Sequence, residues 1–81
     1  MRYIVNGRWA KGSHSYLFFC NNIDGYLIRM YRADNNIRAY FINGAVTTFY
    51  HKNINKAKAS SVNILASSGY LIITDRRANL I

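Results

Sequence analysis

The sequence predicts a small α+β fold: a twisted antiparallel β-sheet of about five or six strands with one covering α-helix near the C-terminus, in the order β-β-β-β-β-α-β. Three observations carry that expectation. Short runs rich in Tyr, Phe, Ile and Val recur up to residue 51, separated by clusters of Gly, Asn and Asp. The period then changes to helical spacing over HKNINKAKASSVNILASSG. Proline, which strand interiors tolerate poorly, is absent from all 81 residues. That length suits one compact domain, 1–81, and no more.

The first two runs, RYIVNGRW (2–9) and SHSYLFFC (13–20), are expected to pair around Lys11-Gly12, with glycine supplying a positive φ. NNIDG (21–25) turns the chain into YLIRMYRA (26–33), and a loop at Asn35-Asn36 returns it as IRAYFI (37–42). Counting outward from that loop sets Met30 against Phe41, Ile28 against Asn43 and Arg32 against Ala39 on one face. The other face then opposes Tyr31 to Tyr40, Arg29 to Ile42 and Ala33 to Arg38. The first face has the apolar centre and belongs under the helix; the second is a continuous surface of arginine and tyrosine.

Asn43-Gly44, the strongest short hairpin dipeptide, leads into AVTTFYH (45–51). As a two-residue loop it puts Val46, Thr48 and Tyr50 on the core face and Thr47, Phe49 and His51 on the open one. A one-residue change in loop length inverts that assignment. The helix is expected over about 54–68. Ile54, Ala57, Ser61, Ile64 and Leu65 make its buried stripe, and Lys52, Lys56, Ser60, Asn63 and Ser67 fall on the other side. Asn53 or Asn55 caps its start and Gly69 ends it. YLIIT (70–74) is the last strand, and 75–81 form a short basic tail.

Eleven Lys/Arg against three Asp give a formal net charge of +8, which favours polyanionic or acidic partners. The partners expected are therefore nucleic acid, a nucleoprotein or an acidic protein surface, with a homodimer through the sheet face or edge also compatible. Cys20 is the single cysteine, so no internal disulfide forms and a reducing compartment is the natural home. The expectation is cytoplasmic, in the host cell if a phage encodes it. MRYIVNGRW lacks the apolar core of a signal peptide, and YLFFC and YLIIT are too short to span a bilayer.

Catalytic provision is thin. His14, His51 and Cys20 have no metal-ligand spacing, and a chain without glutamate offers no paired-carboxylate chemistry. GRWAKGS lacks the order of a phosphate-binding loop, so no cofactor is expected.

Aromatics interleaved with arginines on an exposed sheet are what single-stranded nucleic-acid binders use, since bases stack on rings and guanidiniums meet phosphates. Arg29, Tyr31, Arg38 and Tyr40 are the central candidates. An opposed tyrosine pair also stabilises a sheet with no ligand, and IRAYFIN lacks the RNP1 pattern of RNA-recognition motifs. Lys52, Lys56 and Lys58 form a second basic group at the helix start, where lysine opposes the macrodipole and gains the helix nothing. Arg76 and Arg77 follow the last strand, and Trp9, with Arg2, Arg8 and Lys11, is either an interface anchor or the closure of one core edge.

The leading expectation is a small non-enzymatic protein that engages nucleic acid or a nucleoprotein through the Arg/Tyr face. The alternative is an inhibitor docking on a host protein complex, of the anti-defence kind that phages and mobile elements carry, anti-CRISPR proteins included. Its basis is size, aromatic surface and the lack of a catalytic motif. The one enzyme class compatible with the composition is a metal-independent ribonuclease using His14, His51, Tyr16 and Arg38.

Overall fold

Five strands build one antiparallel sheet in the computed structural model, which describes residues 2–73. They are β2 (Arg8–Lys11), β3 (Tyr16–Phe19), β4 (Ile28–Ala33), β5 (Asn36–Phe41) and β6 (Val46–Phe49), hydrogen-bonded in that order. The helix α1 (Ile54–Ser67) packs on one side of this sheet. β1 (Arg2–Val5) and β7 (Tyr70–Ile73) form a separate parallel pair. The architecture is a small α+β fold with one C-terminal helix, as the sequence predicts.

The run 2–9, expected as one strand, is two. Asn6 takes a positive φ of 54° and bends the chain, and Gly7 passes so close to Phe18 that a Cβ there would collide with its ring at Cζ. Redirected by this corner, β1 leaves the hairpin and pairs with β7 instead. Its other edge is held by the 21–22 turn. The Asn22 side chain accepts from Val5 N (3.0 Å) and donates to Tyr3 O (2.7 Å), while Asn21 N donates to Val5 O (3.0 Å). One amide side chain thus satisfies backbone groups that a neighbouring strand would otherwise pair.

The hairpin between β2 and β3 opens around a four-residue loop, 12–15, closed by Gly12 N donating to Ser15 O (2.7 Å). Gly12 is not among the positive-φ residues, so the expected tight glycine turn is replaced by a longer loop.

The β4–β5 loop is Asp34-Asn35, one residue earlier than expected, with Asp34 supplying the positive φ of 44°. The loop keeps its length, so each partner moves by two residues and both faces keep their membership. Ile28 now opposes Phe41, Met30 opposes Ala39 and Arg32 opposes Ile37; Arg29 opposes Tyr40 and Tyr31 opposes Arg38.

The next loop does invert its strand. Phe41 N donates to Ala45 O and Gly44 N to Phe41 O, both at 2.9 Å, enclosing the three residues 42–44. Gly44, with φ 90°, occupies the left-handed closing position of that loop. The extra residue changes the parity, so Phe49 opposes Ile37 and Thr47 opposes Ala39 on the core face. Val46 and Thr48, expected in the core, stand instead opposite Tyr40 and Arg38 on the open face.

Phe18, Ile28, Met30, Ile37, Ala39 and Phe41 line the core face, and all are buried with Ile4 and Leu27. The helix closes this core with Ile54, Ala57, Ser61 and Leu65, the expected stripe apart from Ile64, which is half-buried. Asn53 Oδ1 accepts from Lys56 N at 3.0 Å as the N-cap, and Gly69 follows the C-cap with φ 100°. Ser61 is fully buried, yet its Oγ has no hydrogen-bond partner.

Candidate functional site

The open face follows from the register. Side chains directly opposite on paired antiparallel strands share a face. Arg29 and Tyr31 from β4 therefore stand with Tyr40 and Arg38 from β5, each arginine opposite a tyrosine. The expected direct opposition of Tyr31 to Tyr40 becomes a diagonal one. Their rings still meet edge to face, with centroids 5.7 Å apart and planes at 83°.

One guanidinium lies over Tyr31. Arg29 Cζ is 4.9 Å from the Tyr31 centroid and 5.8 Å from that of Tyr26, which precedes β4. Towards the other edge, Leu17 opposes Arg29 and Arg8 opposes Phe19, with Arg8 Cζ 4.6 Å from the Phe19 ring. Arg8 is also anchored, donating to Asn21 Oδ1 (2.7 Å) and Asn6 O (3.1 Å). Arg38 differs. It is exposed on an interior strand, and its side chain makes no hydrogen bond, ion pair or ring contact among the described residues.

Arg8, Phe19 and Tyr26 also belong to this face, and sequence reasoning misses them there. YLFF in β3 is apolar throughout, so no alternation in the sequence says which of its residues point outward. The length of the 12–15 loop decides it.

The other expected site residues lie elsewhere. Trp9 shares the core face with Phe18, ring centroids 5.1 Å apart, and is half-buried at the core edge. Lys58 reaches across from α1 to place its Nζ 4.9 Å from the Tyr16 ring and 5.5 Å from that of Trp9. Lys52 and Lys56 are exposed at the start of the helix, hence on the helix side of the sheet rather than the Arg/Tyr side. Arg76 and Arg77 lie outside the described residues.

The four residues of the ribonuclease expectation are not gathered into one site. His14 and Tyr16 line a surface pocket with Lys11 and Arg32, whereas Arg38 is on the opposite face of the sheet. His51 is not among that pocket's lining residues; its ring packs 5.9 Å from Phe49 and its Nδ1 accepts from Asn53 N. Within the pocket, a hydrogen bond from the Arg32 side chain lowers the Tyr16 pKa below the usual phenol value of 10.0. Desolvation opposes this, and the charges of Arg32, Lys11 and Lys58 reinforce it.

Among the described residues no group of three or more His, Cys, Asp or Glu is placed to hold a metal ion, and no helix is long and apolar enough to cross a membrane. Compared with family models, curated proteins and solved structures, the chain matches none.

Proposed function

We propose that the chain is a non-enzymatic binding protein for single-stranded nucleic acid, free or carried in a nucleoprotein, engaged by the Arg/Tyr face. One observation carries this reading: Arg38 stands without an intramolecular partner, among the described residues, at the centre of a sheet face whose neighbours are Tyr31 and Tyr40. An exposed guanidinium on the same face as two rings presents a phosphate fork beside stacking surfaces. Tyr26, Tyr31 and Tyr40 supply the rings, and stacking on each is worth roughly 1–3 kcal/mol per base. The net charge of +8 adds a sequence-independent attraction for the strand.

The second reading, an inhibitor of the phage or mobile-element type that docks on a protein complex, draws on the exposed apolar rim at the β5–β6 end. Val46 is 54% and Ile42 38% exposed there, beside Tyr40.

Fluorescence anisotropy with labelled single-stranded RNA, single-stranded DNA and duplex DNA across a salt series separates the two. The nucleic-acid reading expects single strands to bind at micromolar concentration or tighter, with a steep loss in salt. It also expects the Tyr31→Ala/Tyr40→Ala variant to weaken single strands by at least about tenfold. Binding typical of any basic protein and indifferent to that variant sinks this reading and directs the search to a protein partner.

A further inference from the structure

The helix side of the sheet holds a second assembly of cations, independent of the Arg/Tyr face. The pocket of about 340 Å³ is lined by residues 11–16 and Arg32. Lys11 ends β2 directly opposite Tyr16, the first residue of β3, and Arg32 lies on the same face near the end of β4. Lys58 closes in from α1 over the Tyr16 ring. No carboxylate is among the lining residues. Lysine and arginine side chains gathered around one phenol repel each other, and nothing in the lining offsets that repulsion. The downward shift of the Tyr16 phenol has the sign such a positive site requires.

The donors have a recognisable chemistry. Arg32 offers a planar fork; its only hydrogen bond to backbone is a long one from Nη1 to Lys52 O, at 3.4 Å. Lys11 offers a point charge, and Ser13 and Ser15 offer hydroxyls on the loop between them. The volume is at the small end of ligand pockets, which run from about 300 to 1,000 Å³, and suits a compact anion or a mononucleotide-sized molecule. We propose that this pocket binds a phosphomonoester, its oxygens held by Arg32, Lys11 and the loop serines. The site is on the opposite side of the sheet from the Arg/Tyr face and does not rest on the proposed function of that face.

The test is an NMR titration of the full chain, following backbone amide shifts on adding inorganic phosphate, adenosine 5′-monophosphate or adenosine. Saturable shifts centred on residues 12–16 are expected with phosphate and the monophosphate and not with adenosine. Arg32→Met and Lys11→Met are each expected to weaken binding about tenfold, the loss of one charge-assisted contact. Tyr31→Ala/Tyr40→Ala is expected to leave it unchanged. Lys11 is exposed at a strand end, so its variant carries the test should Arg32→Met fail to fold. In the Tyr31→Ala/Tyr40→Ala background, tighter binding of a 5′-phosphorylated than a 5′-hydroxyl oligonucleotide identifies a strand end as the phosphate source; equal binding identifies the small molecule. Adenosine binding as tightly as its monophosphate, shifts spread without saturation over the whole basic surface, or full affinity in a folded Lys11→Met variant would each overturn the proposal.

Discussion

Position 7 accepts only glycine because Phe18 occupies the space a Cβ would take, and Phe18 is itself buried against Trp9 and cannot swing aside. Gly7→Ala is therefore expected to destabilise the protein by roughly 1–3 kcal/mol, read as a fall in the urea midpoint at unchanged slope. Tyr16 gives a second residue-scale expectation. Ultraviolet titration should show a phenol ionising below the usual 10.0, an early phase that disappears in Tyr16→Phe and moves back up in Arg32→Met. The folded pKa is below the unfolded one, so the contribution to stability is fully present above the unfolded value and is lost as pH falls through the lowered folded value. Its window lies between that lowered value and 10.0. An early phase that survives in Tyr16→Phe would assign the shift to another tyrosine.

At the scale of elements, the strand β6 and the helix each make a distinguishing prediction. Phe49 faces the core and Val46 faces outward, the reverse of what a two-residue loop at Asn43-Gly44 implies. Phe49→Ala is expected to cost about 2–3 kcal/mol and Val46→Ala less than about 0.5, and the opposite order in thermal or chemical unfolding would restore the shorter loop. In α1, Ser61 buries a hydroxyl without a partner. Ser61→Ala removes that desolvation cost and raises helix propensity, so it should stabilise by roughly 1 kcal/mol, an increase in Tm of about 4–8 °C for a domain of this size. The helix is legible in the sequence alone, since its stripe apart from Ile64, a cap at Asn53 or Asn55 and its Gly69 stop follow from local spacing. The sidedness of β6 is not, because Val46 through Phe49 reads equally well with either parity, and a single glycine in the left-handed region chooses between them.

For the whole molecule, the two faces of the sheet separate the basic residues into different environments. Arg29 and Arg38 share the outer face with tyrosines, while Lys11, Arg32 and Lys58 converge on the helix side. Phosphate contacts by the outer face should appear in the salt dependence of single-strand binding. Arg38→Ala is expected to reduce the log–log slope by about 0.7, and Lys56→Ala, on the helix side, to leave it nearly unchanged. Equal effects from both variants would mean that net charge alone, and no particular face, holds the strand. Composition indicates a basic surface suited to acidic partners; it does not indicate that the surface is divided.

What the residues determined by themselves was the strand-rich character, the helix with a cap at Asn53 or Asn55 and a stop at Gly69, and the shared face of Arg29, Tyr31, Arg38 and Tyr40. That face survives a misplaced turn because strand sidedness repeats every two residues, and moving a turn of constant length shifts partners by two. Tertiary structure decided what local spacing does not encode. The parallel pairing of β1 with β7 joins the two ends of the described chain, and no pattern within RYIV names that partner. The pocket likewise assembles β2, β3 and β4 around the 12–15 loop, with Lys58 brought over its Tyr16 ring by a helix far along the chain. Such contacts depend on which surfaces bury one another, and that is settled only when the sheet twists, the helix docks and each loop takes its length.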